Sequence, residues 1–100
     1  MIRDKKFYDL CMEMVQEHEE KSQKYAGADS DPLNNWNEVL FLMRPWKGCM
    51  ARMTEKWARM KQIFGAPILD IGEARTILKE LAVYSIMVRE LLDRDTEAVS

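Results

Sequence analysis

From Met50 to Phe64 the apolar residues recur at alternating intervals of three and four: Met50, Met53, Trp57, Met60 and Phe64. Such spacing lays all five on one stripe of an α-helix, a heptad-like seam that has to be buried against other helices. No segment alternates apolar and polar residues in the manner of a half-buried strand. The expected fold is therefore all-α: one domain over residues 1–100, a compact helical bundle of three main helices plus a short one, oligomeric.

Glycine and proline are few and clustered, and they mark the helix ends. A first helix is expected from about Asp4 to Lys24, with Phe7, Leu10, Cys11, Met14, Val15 and His18 on one face. Gly27 and Pro32 break it, and Asn34 or Asn35 can cap a short helix through Met43. Pro45 and Gly48 interrupt the chain again. The third helix is expected from Gly48 to Phe64, ended by Gly65 and Pro67. The fourth begins at Asp70, where Glu73 three residues on completes a capping box, and runs to about Asp93. Its main face carries Ala74, Ile77, Leu78, Leu81, Ala82, Ser85, Val88 and Leu92. Val83, Met87 and Leu91 fall outside that stripe, so a second subunit is expected against them.

Hydrophobic residues make up 47% of the chain and charged ones 32%, which excludes a disordered tail. A net charge of −2 argues against a dedicated nucleic-acid surface. The uncharged run Leu81 to Val88 is far too short to span a bilayer, and the N-terminal residues hold no apolar run of a signal peptide. A cytoplasmic protein is expected. Cys11 and Cys49 have no partner motif and there is a single histidine, so no zinc site of the usual spacing exists. Both thiols read as reduced core residues, and His18 as a half-buried core histidine.

Three charged stripes stand beside the apolar faces. Glu13, Glu17, Glu20 and Lys24 share one side of the first helix; carboxylates there suit magnesium, or form a solvated acidic stripe. Glu73 and Glu80, with Thr76 and Tyr84, form a second acidic edge, for which capping and exposure are the ordinary explanation. Arg52, Lys56 and Arg59 form a basic stripe, and segment 47–61 holds five basic residues against one acid. Arginine and lysine in that arrangement suit phosphate oxygens, or are partnered by the acidic edges of neighbouring helices. Trp36 can stack on a base or pack in a core, while Trp46 and Trp57 read as core or interface residues. Two acidic edges and a basic one in a helical bundle are the combination that phosphoryl chemistry needs.

The segments KYAGADSDPLNNW (24–36), ARMTEKWARM (51–60) and GEARTILKELAVYSIM (72–87) carry a resemblance. In order and spacing they resemble the nucleotide modification associated domain family and the MazG-like all-α NTP pyrophosphatases, which are often phage-encoded. The likeness covers roughly residues 17 to 90. It implies a magnesium-dependent hydrolase that converts an NTP or dNTP to the monophosphate and pyrophosphate, working as a dimer or tetramer. By that resemblance Glu55 and Lys56 are catalytic, and Glu17, Glu20, Glu73 and Glu80 hold the metal. Lys24, Arg52, Lys56 and Arg59 hold phosphates, and Asn35, Trp36 and Tyr84 contact the base. Thr76 stands where the family has an aspartate, Glu80 where it has the shorter carboxylate, and Ala26 inside its Tyr-Gly turn. These departures keep a second reading open: a non-catalytic accessory protein, anti-defence or regulatory, that binds a nucleotide or a protein partner. A purely structural module built on the Met- and Trp-rich faces is the third.

Overall fold

The computed structural model describes residues 2–26 and 44–99. These form three α-helices, α1 (Lys5–Ala26), α2 (Pro45–Gly65) and α3 (Ile71–Val99), and no strand occurs among the described residues. The short helix expected up to Met43, with Gly27 and Pro32, lies outside them. Residues 1–35 form one unit and residues 36–100 a second. Among the described residues no helix is long and apolar enough to cross a membrane.

Helix α1 starts where the sequence indicates. An Asp4 carboxylate oxygen accepts from the Phe7 amide at 3.0 Å, satisfying one of the free donors of the first turn. Its apolar stripe is half-buried at Cys11, Met14 and His18, while Phe7, Leu10 and Val15 are exposed.

Helix α2 begins three residues before the expected start, at Pro45. Proline is well suited to the first helical position, because its missing N–H would have no intrahelical acceptor there. Pro45 thus opens the helix instead of interrupting the chain, and Gly48 lies inside it. The other end also differs in mechanism from the expectation. Gly65 is the last helical residue, and it is Ala66 that leaves the helix, with φ −69° and ψ 149°. Ala66 precedes Pro67, whose ring excludes the helical conformation from the residue before it.

At the start of α3 the Asp70 carboxylate accepts from the Glu73 amide at 3.1 Å. The returning half of the expected capping box is replaced, since the Glu73 carboxylate accepts from Arg59 instead. The helix runs to Val99, well past Asp93. Two i,i+4 ion pairs, Arg89–Asp93 at 2.9 Å and Glu90–Arg94 at 3.3 Å, support the added turns.

Helices α2 and α3 form an antiparallel hairpin closed by residues 66–70. Near the turn Ile63, Ala74 and Ile77 are buried together, with Met60 and Leu81 packed against them. Farther along, Cys49 and Leu91 are buried. The α2 seam is Trp46, Cys49, Met53, Lys56, Met60 and Ile63, all buried or half-buried. It shares only Met53 and Met60 with the expected stripe. Met50, Trp57 and Phe64 sit one residue farther on, rotated about 100° away, and are exposed. Two interleaved three-four series compete on this helix. The one that admits Lys56 wins, because its long stem packs while its ammonium finds a carboxylate.

The α3 seam is likewise Ala74, Ile77, Leu81, Tyr84, Val88, Leu91 and Asp95, at strict three-four spacing and all buried or half-buried. Leu91, expected to face a second subunit, is buried within the chain at 4% exposure. Leu78, Ala82, Ser85 and Leu92, expected on the main buried face, are exposed.

Candidate functional site

The basic stripe of α2 and the acidic edge of α3 meet on one side of the hairpin. The Lys56 ammonium lies 2.9 Å from a Glu80 carboxylate oxygen, both side chains being largely buried. One turn nearer the hairpin end, Arg59 donates to Glu73 at 2.9 Å in an exposed pair. Arg52 pairs along its own helix with Glu55 at 3.2 Å, again exposed. The Lys56 ammonium also stands 5.9 Å from the centroid of the Tyr84 ring, within the range of a cation–π contact. Tyr84 is half-buried, and that burial pushes its phenol above the ordinary value, while the positive charges of Lys56 and Arg52 pull it back.

Seven sequence-identified residues (Arg52, Glu55, Lys56, Arg59, Glu73, Glu80 and Tyr84) thus come together on one face. Pairing of the basic stripe by a neighbouring acidic edge was the ordinary explanation for these residues, and the ion pairs have that form. Thr76 donates its hydroxyl to the Gly72 carbonyl at 3.0 Å, within its own helix. Glu73 and Glu80 are seven residues apart, about 10 Å along the axis, and each is held by a different cation, so they do not form one metal site as they stand.

Glu17, half-buried, and Glu20 and Lys24, both exposed, lie together on α1 in the other unit. Asn35 and Trp36 fall outside the described residues. Among the described residues no group of three or more His, Cys, Asp or Glu is placed to hold a metal ion.

One cluster went unforeseen in the sequence. At the open end of the hairpin the Trp46 indole N–H donates to Asp95 at 3.1 Å, and the second Asp95 oxygen is ion-paired with Arg44. Asp95 lies 51 residues from Arg44 and 49 from Trp46 in the chain, and a charged residue that continues an apolar three-four series gives no local signal of the partners it will meet. Cys49 is fully buried and its thiol is pushed up to about 11 by desolvation, as expected of an inert core cysteine. No family model, curated protein or solved structure matches the chain.

Proposed function

We propose that the hairpin handles nucleotide phosphates, and that the reaction is hydrolysis of an NTP or dNTP to the monophosphate and pyrophosphate. One observation carries this reading. Two motifs singled out by the family resemblance, far apart in sequence, mesh side chain to side chain across the hairpin through Lys56, Glu80 and Tyr84. Lys56, Arg52 and Arg59 are then the phosphate ligands. In the free protein their partners are Glu80, Glu55 and Glu73, and a triphosphate would exchange for these carboxylates. Arginine engages two phosphate oxygens at once, whereas lysine acts as a point charge. Tyr84 presents a half-buried ring beside them, suited to the sugar or base.

Magnesium fits here only in part. It needs one or two carboxylates and takes further oxygens from water and phosphate; Glu80, released from Lys56, is one such donor. When bound, the ion would supply an activated water and neutralise phosphate charge.

The test is pyrophosphate release from the common NTPs and dNTPs, with and without magnesium, on the full chain and on Glu80→Gln. Metal-dependent release, lost in Glu80→Gln while helicity is kept, is the expected result. Full activity in that variant removes Glu80 from the site. No release from folded wild-type protein favours the second reading, a nucleotide-binding accessory protein without catalysis. The observation behind that alternative is Thr76, whose hydroxyl is spent on its own helix where the family has a carboxylate. Activity gained in Thr76→Asp would mark a degenerate enzyme.

A further inference from the structure

The side of the hairpin opposite the ion pairs is a groove with an apolar floor and basic rims, and we infer that it receives an acidic amphipathic helix of another protein. The geometry follows from the seam. Residues that follow Cys49, Lys56 and Ile63 on α2, or Ile77 and Tyr84 on α3, lie about 70° from the middle of the seam. Residues that follow Trp46 and Met60 on α2, or Ala74 and Val88 on α3, lie farther out, at about 130°. In antiparallel helices that face each other both rotations lead to the same side, and two packed helices leave a groove there. Its floor is Met50, Trp57 and Phe64 from α2 with Ile71, Leu78 and Ser85 from α3, the five apolar ones being 45–51% exposed. Its rims carry Lys47 and Lys61 on α2, and Arg75 and Arg89 on α3.

Charge selects the occupant. With the contact of Lys56 and Glu80 setting the level, each step along α2 is matched by one step back along α3. Lys47 therefore stands about level with Arg89, and Lys61 with Arg75. The two pairs are fourteen residues apart on both helices, about 21 Å along the axis. No acidic residue occupies the floor or rim positions, in a chain whose net charge is −2. Among the described residues Lys61 and Arg75 have no carboxylate partner. Arg89 has the exposed Asp93 of its own helix, and Lys47 stands 5.6 Å from the centroid of the Trp46 ring. Such a face repels its own image and calls for carboxylates on whatever covers it.

Shape selects a helix. Between the two cation pairs the groove is lined by small residues, Thr54 level with Ala82 and Ser85 one turn on. The Thr54 hydroxyl donates to the Met50 carbonyl at 3.0 Å and that of Ser85 to the Leu81 carbonyl at 2.8 Å. Both polar groups are spent on their own helices, which leaves an uncharged hollow for one bulky apolar side chain. A helix with an apolar stripe and carboxylates on both flanks fills floor and hollow and meets both rims at once. A lipid surface is planar and has no side chain for the hollow. The assignment is independent of the proposed reaction, which concerns the other face.

The test is calorimetric titration of the full chain with a synthetic helix long enough to span both cation pairs, leucine along one stripe and glutamate on both sides of it. The same helix with lysine for glutamate, and phosphatidylserine vesicles, are titrated in parallel. The expected result is binding of the glutamate helix alone, weakened by added salt. Lys61→Glu with Arg75→Glu should weaken it at least about thirtyfold with helical circular dichroism retained, and Arg94→Gln on the opposite face should leave it unchanged. Should the double variant lose helicity, Ala82→Leu, which fills the hollow, is read in its place by the same criterion. A wild type that does not bind the glutamate helix overturns the inference, as does equal binding of the lysine helix or binding that the groove variants leave unchanged. Binding to the vesicles that the same variants abolish would overturn it in favour of an anionic lipid surface.

Discussion

The ammonium of Lys56 lies 2.9 Å from the carboxylate of Glu80, at a position where the α2 seam is otherwise lined chiefly by apolar side chains. With side-chain exposures of 34% and 25%, the pair is partly desolvated, so removing one partner leaves the other charge poorly solvated. Lys56→Met and Glu80→Met should each destabilise the fold by about 1 kcal/mol, while the double variant should recover most of that loss. Urea denaturation of the four proteins measures the coupling. Additive losses would mean that the two groups do not interact in solution.

The Asp95 clamp should hold down the last turns of α3. Asp95→Ala removes the acceptor of the Trp46 indole and the partner of Arg44. A cost of about 1–2 kcal/mol is expected, with faster amide exchange after Asp93 and little change near Ile77. Unchanged exchange would show that the i,i+4 pairs alone support this end.

Gly65 is helical, exposed, and has open space where a Cβ would stand. Alanine there lowers the entropy of the unfolded chain and meets nothing in the folded one. Gly65→Ala should stabilise by roughly 0.5–1 kcal/mol, raising Tm by about 3–6 °C. A loss of stability on thermal melting would mean that Gly65 needs a conformation that only glycine adopts.

Alkaline pH should weaken the fold through Cys49. Its thiol is raised from 9.0 to about 11 by burial, so the folded state holds the proton more tightly than the unfolded one. Stability from this source is complete below pH 9 and is lost as pH rises towards 11. Tyr84, also raised by burial, adds in the same direction. Unfolding midpoints measured from pH 8 to 11 should fall, and Cys49→Ala should flatten that decline. Alkylation of the native protein should label Cys11 well before Cys49.

Much of the hairpin was legible in the sequence. Asp70 acts as the N-terminal cap that its position announced, and Asp4, expected only as the start of the first helix, caps α1 in the same way, because a cap depends on residues three apart. Arg52, Lys56 and Arg59 were placed on one stripe for the same local reason. Which carboxylates Lys56 and Arg59 meet was not legible, since those partners, Glu80 and Glu73, lie 24 and 14 residues away across a turn. Misplacing the buried stripe of α2 had a definite cause. Met53 and Met60 belong to two three-four series, and hydrophobicity alone prefers the one with Trp57 over the one with Lys56.

What the sequence by itself determined is therefore the helical class and the helix starts at Asp4 and Asp70, together with the sidedness of the charges. All of these follow from interactions within a turn or two of one helix. Only the tertiary structure decided the rotation of α2 about its axis, the neutralisation of Lys56 by Glu80, and the tether of Asp95 to Trp46 and Arg44. Those depend on what the facing helix offers at each level. A lysine is cheaper to place in the seam than a tryptophan wherever the neighbour supplies a carboxylate and room for four methylenes.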